Sequence, residues 1–273
     1  MPALMDTVPD PCLPAGRQRP SAPADPEKPL LSHLDELRKR FLVSFVFFIL
    51  AAAVSFNYSS FLFGILKRPL AGVVDKLVFF SPTEALALYL NISLAAGLML
   101  SMPLILYQAW KFVEPAVAGS IKSGPVIFVS SVTLAFASGA LFSYFILIPP
   151  ALKFLLGFAG PDLEPVISAQ SYVSFIVWTV LGTGLVFEMP VLSYVLSKLG
   201  VINHRSLRNK YRYAIVGILA AAAIISPTPD IFNMLLFAAP MLFLYELSIW
   251  ISRFAGKRRR NNFGSSNGQL NSR

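Results

Sequence analysis

The chain has 273 residues, 55% of them hydrophobic and 14% charged, with a net charge of +9. An average soluble domain is about 25% charged, so too few charges are present here to coat a water-facing surface, and a soluble enzyme is excluded as the first reading. One cysteine, Cys12, and two histidines, His33 and His204, exclude an internal disulfide framework and a Cys- or His-rich metal site.

Residues 1–29 hold eight of the 21 prolines and have no apolar periodicity, which predicts a disordered tail. The tail lacks the apolar run of a secretory signal, and Asp6, Asp10, Asp25 and Glu27 argue against a transit peptide. Leu30, Leu34, Leu37 and Phe41 then recur at helical spacing opposite a charged side. That pattern predicts an amphipathic helix lying in the membrane interface before the first span. A span needs about 20 apolar residues. Six are predicted, at 41–57, 85–110, 125–149, 172–199, 213–225 and 232–251, within a membrane domain over 30–254.

Between the first two spans, 58–66 reads as a short apolar helix on the outer face, closed by Lys67, Arg68 and Pro69. Ser81-Pro82-Thr83-Glu84 is a capping box with proline at the first helical position. Ser168 or Ser171 caps the fourth span, and Pro190 kinks it. The fifth span is short: its thirteen residues rise about 20 Å against a hydrocarbon core of about 30 Å. Either the bilayer thins there, or Tyr211, Arg212 and Tyr213 snorkel, or the helix extends to Lys210 and Ser226. Asp230 is placed to cap the sixth span after the turn begun by Ser226-Pro227. Residues 255–273, basic at Lys257 to Arg260 and then polar, read as a disordered tail.

Basic residues decide the orientation. The segments on the side of the two termini carry 19 Lys and Arg; the segments on the other side carry 4. That bias predicts six spans with both termini in the cytoplasm. It also answers a nucleic-acid reading of the positive charge, because the cations alternate with the loops and form no single patch.

Several strings then occur in order. His33-Leu34-Asp35-Glu36-Leu37-Arg38-Lys39-Arg40 leads into the first span, and Ser81-Pro82-Thr83-Glu84 opens the second. Pro103 and Tyr107-Gln108-Ala109-Trp110-Lys111-Phe112 close the second, Phe187-Glu188-Met189-Pro190 lies in the fourth, and Ser226 to Asp230 with Phe232 begins the sixth. Together they resemble the TatC family, the polytopic core subunit of the twin-arginine (Sec-independent) protein translocase. The resemblance implies an all-α, glove-like bundle of six transmembrane helices in a bacterial-type inner membrane. It implies a receptor that binds twin-arginine signal peptides of folded precursors and recruits TatA-like and TatB-like single-span subunits. Such a protein forms homo-oligomers within the complex, works on the proton-motive force, and needs neither a cofactor nor covalent chemistry.

The resemblance also marks residues. Phe112 matches the family's signal-peptide-binding aromatic; physically it can cover an apolar side chain or stack an arginine, or pack in the interface belt beside Trp110. Glu36 matches the N-terminal acidic position, where it can bind a peptide arginine or pair with Arg40 one turn on; Arg38 and Arg40 flank it. The family's further glutamate in the loop 111–124 is missing, since Ile121 stands there, and Glu114 is the substitute. Glu188 matches the intramembrane glutamate. It lies about 15 Å from Lys198 by helical rise, too deep to snorkel. A charged carboxylate there costs roughly 3 kcal/mol or more, so it is expected either protonated or hydrogen-bonded in a polar pocket. Asp230 matches a residue bordering a partner-contact region as well as serving as a cap, Glu246 snorkels or pairs with a neighbouring helix, and Pro69 matches a family proline.

A proton-coupled small-solute transporter using Glu188 is the alternative. It predicts internal repeats or paired broken helices, and the two halves show no self-similarity. A membrane hydrolase lacks the residues, since no Ser/His/Asp or metal-ligand set falls within the spans.

Overall fold

The computed structural model describes residues 27–70, 77–117, 125–157, 166–202, 204–226 and 230–270. Residues 1–26 of the tail expected at 1–29, the loop position Ile121 and the turn residues 227–229 lie outside the described residues, and 27–29 already belong to the first helix.

Helix α1 (Glu27–Asn57) is continuous. The amphipathic segment expected to lie apart in the interface is simply its first turns, because no glycine or proline interrupts 30–57. A short helix, α2 (Ser59–Leu66), and a 3-10 turn, Arg68–Leu70, follow as expected for one face of the bundle. After strand β1 (Leu77–Val78) comes α3 (Pro82–Val117), which runs beyond the span end expected at 110 and takes Phe112, Glu114 and Pro115 into helix.

Helices α4 (Pro125–Phe142) and α5 (Ile148–Gly157) are joined by a π-helical segment, Ser143–Leu147. Pro149 and Pro150 explain it. Each lacks an amide, and its ring would clash with the carbonyl four residues back. The wider turn removes that clash, and the Ile148 amide donates to the Ser143 carbonyl instead. Strand β2 (Ile167–Ser168) precedes α6 (Ala169–Val186). The fourth span then breaks at Phe187-Glu188 and resumes as α7 (Met189–Leu199), with Pro190 in its first turn, as the kink predicted. Helices α8 (His204–Asn209), α9 (Tyr211–Ile225) and α10 (Ile231–Leu270) follow, and α10 carries helix through 255–270, where a disordered tail was expected.

Five helical stretches are long and apolar enough to cross a membrane: Leu34–Asn57, Pro82–Phe112, Val126–Gly157, Ala169–Lys198 and Ile231–Phe254. The sixth, α9, has 15 residues and gains only Tyr211 and Arg212 over the sequence expectation. Its rise of about 22 Å leaves most of the shortfall in place.

Packing among the described residues falls into two large groups and a small third, in which Trp110 of α3 and Phe128 of α4 meet Val195 of α7. Leu88 and Ile92 of α3, Ala140 of α4 and Val173 and Ile176 of α6 form one core. Helix α1 rides on α3, where a Cβ at Gly97 would come within 2.5 Å of the Ala52 backbone. Phe237, Ala238 and Met241 of α10 form a second core with Ile218 and Ala222 of α9. Ser197 of α7 bonds Ser252 of α10 at 2.6 Å, so α7 is tied to the second group.

The end of the bundle that carries α2 is laced together. Leu77 and Val78 pair in parallel with Ile167 and Ser168. Glu84 accepts from the Phe80 amide at 2.7 Å and from Ser168 Oγ at 3.3 Å. The capping box therefore forms one residue out of the expected pattern, with Ser81 Oγ accepting from the Thr83 amide. Ser168, rather than Ser171, caps α6 by accepting from the Ser171 amide.

Candidate functional site

At the opposite end, α1 and α3 diverge around an apolar groove of about 390 Å³. Leu37, Phe41 and Phe45 line one wall and Ile105, Gln108 and Phe112 the other. The spacing explains the second wall, since 105, 108 and 112 recur on one side of a helix. Arg40 stands in the groove lining, forms an ion pair with Glu36 one turn back, and donates to the Gln108 carbonyl at 3.5 Å. Glu36 is half-exposed, so one carboxylate faces solvent at the rim of an otherwise greasy furrow. Lys111 lies over the Tyr107 ring, 5.4 Å from its centroid, just outside.

The structure thus brings Glu36, Arg40 and Phe112 together and leaves Arg38 exposed on α1 beside them. Glu114 lies in helix rather than in the expected loop. Two residues on a helix are about 200° apart, so position 114 falls on the side of α3 that carries Trp110, away from the Phe112 wall. Trp110 there is buried and stacked on Phe128, at 3.9 Å between centroids.

Glu188 occupies a separate place, the break between α6 and α7. It is 6% exposed, and neither carboxyl oxygen has a hydrogen-bond partner among the described residues. The polar pocket expected to satisfy it is not there. The hydroxyls of Thr179 and Thr183, one and two turns before the break, are likewise buried without partners. A buried carboxyl left unbonded is costly, and sites of this kind in membranes are held for a purpose other than packing.

The remaining marked residues are elsewhere. Asp230 caps α10, its Oδ1 accepting from the Asn233 amide at 2.7 Å and its Oδ2 from Asn233 Nδ2 at 2.8 Å. Glu246 is exposed on α10, and Pro69 is half-buried in the 3-10 turn at the α2 end. No three His, Cys, Asp or Glu among the described residues gather as metal ligands.

The family model described as "Sec-independent protein translocase protein (TatC)" matches residues 32–240. The chain belongs to the TatC family. Among its relatives, the "Sec-independent protein translocase protein TatC" of Aquifex aeolicus is 39% identical over 236 residues, covering 85% of this chain and 98% of the relative. That of Carboxydothermus hydrogenoformans is 36% identical over 225 residues, covering 82% and 93%. A solved structure, "Crystal Structure of Twin Arginine Translocase Receptor- TatC", superposes with a TM-score of 0.75 at 40% identity, covering 82% of this chain and 99% of that one. The six-span helical architecture is therefore that of a multi-pass TatC, with α9 as its short span.

Proposed function

We propose that this protein is the signal-peptide receptor and core subunit of a twin-arginine translocase, which exports folded proteins on the proton-motive force without covalent chemistry of its own. It lies in a bacterial-type inner membrane with both termini cytoplasmic, in a complex with TatA-like and TatB-like single-span subunits and further copies of itself. The observation that carries this reading is the pairing of a half-exposed acid with an apolar groove at one end of the bundle. An export signal joins a positively charged segment to an apolar run of about 7–15 residues. Glu36 suits the first, and the furrow ending at Phe112 suits the second. Arg38 and Arg40 add to the charged rim at the end of α1, and Glu114, on another face of α3, meets the peptide outside the groove. Glu188, Asp230, Glu246 and Pro69 serve contact with partner subunits, and Glu188 has the strongest physical case because its carboxyl is unsatisfied.

The test is photocrosslinking of a twin-arginine peptide carrying a reactive group in its apolar run. Crosslinks are expected on the α1 and α3 walls, reduced severalfold by Glu36→Gln and by Phe112→Ala. Equal crosslinking of a twin-lysine peptide would sink the assignment. A proton-coupled solute transporter built on Glu188 gains no support beyond that one residue, and the family speaks for the translocase.

A further inference from the structure

A second cavity lies at the other end of the molecule, beneath α2. Its volume is about 480 Å³, within the roughly 300–1,000 Å³ of pockets that hold small ligands. Leu62, Ile65 and Leu66 of α2 roof it, and α3, α4 and α6 wall it with apolar side chains. The one polar group in the lining, Tyr144, is already engaged, since its hydroxyl donates to the Ile65 carbonyl at 2.7 Å. The cavity offers a ligand nothing but hydrocarbon contact. Met99, Leu141 and Phe145 of its lining are exposed, and they belong to helical stretches long and apolar enough to cross a membrane.

Two cations stand at its roof. Lys67 and Arg68 follow directly on Leu66, and both are exposed. Lys67 lies over the Phe63 ring at 5.2 Å, and Arg68 opens the 3-10 turn that follows directly on α2. Among the described residues neither cation has a carboxylate partner. Both run against the 19-to-4 distribution of basic residues described above. A ligand that answers both observations has a long hydrocarbon chain and an anionic head.

We propose that the cavity beneath α2 holds an acyl chain of one anionic phospholipid whose phosphate is held by Lys67 and Arg68. An apolar lining beside two cations that lack a carboxylate partner among the described residues favours this lipid over a partner helix. The 3-10 turn Arg68–Leu70, stiffened by Pro69, fixes Arg68 relative to the roof. The bound lipid would fill the space between α2 and the wall formed by α3 and α4.

Native mass spectrometry of the full chain, supplied with phosphatidylglycerol and phosphatidylcholine of the same acyl composition, tests this. One phosphatidylglycerol is expected to stay bound at least tenfold in preference to phosphatidylcholine. Lys67→Gln and Arg68→Gln, both at exposed positions, should each lower that preference about fivefold, the effect of one basic residue at an anionic surface. Ala96→Phe, which fills the cavity, should lower retention of both lipids. Equal retention by the unaltered chain, or an unchanged preference in the double charge variant, overturns the proposal. So does a crosslink from Leu141→Cys to a partner subunit's helix in the intact complex, with the phospholipid absent.

Discussion

Arg40 and Glu36 set the competition at the candidate receptor site. With no peptide bound, the arginine of the same chain occupies the carboxylate that an incoming arginine would take. An i,i+4 pair of this kind contributes about 0.3–0.5 kcal/mol, so Arg40→Gln is expected to tighten twin-arginine peptide binding about twofold, read by fluorescence titration. Loss of binding instead would show that Arg40 holds the peptide rather than standing in for it. Glu114→Gln is expected to weaken the same titration more than Asp35→Asn; equal affinities would remove Glu114 from the site. Glu188 makes the opposite kind of prediction. Since its carboxyl is buried without a bond, Glu188→Leu should leave the melting temperature unchanged or raised while a single-span partner no longer co-purifies. Full export by that variant would refute a partner role. The Asp230 and Ser168 caps were legible in the sequence, because a cap acts over three residues. The Arg40–Gln108 contact, 68 residues apart, had no local signal.

At the scale of whole elements, the sequence marked helix existence better than helix extent. Charged and amphipathic residues at 30–40 and 111–117 resemble helix ends, yet both segments are helical, because nothing in them stops the backbone hydrogen bonds except Pro115, two residues before the described helix ends. The π-helical segment was not anticipated either, although Pro149-Pro150 supplies its cause. Contact between α1 and α3 depends on one missing side chain. Any Cβ at Gly97 meets the Ala52 backbone, which cannot swing aside. Gly97→Val is therefore expected to separate the two helices, widen the groove ending at Phe112, and cost about 1–3 kcal/mol as overpacking does. A protease-resistance assay on the detergent-solubilised protein would register it.

At the scale of the molecule, the orientation remains the broadest expectation to test. The chain has one cysteine, Cys12, near its N-terminus, so an impermeant maleimide reports the location of that end without mutagenesis. Labelling is expected only after the membrane is opened, and labelling of intact spheroplasts would invert the topology. A second consequence follows from the interruption of the fourth span at Phe187-Glu188. Before it, α6 packs with α3 and α4; after it, α7 is fastened to α10 through Ser197 and Ser252. The break is only two residues long and keeps a right-handed backbone, and Val195 of α7 still packs on Trp110 of α3, so the buried acid stands at the junction where the span passes from one packing group to the other. A partner that binds that acid is therefore expected to shift α10 against α4, and spin labels on the two helices would record the shift as a change in distance when a partner subunit docks; an unchanged distance would show the junction to be rigid.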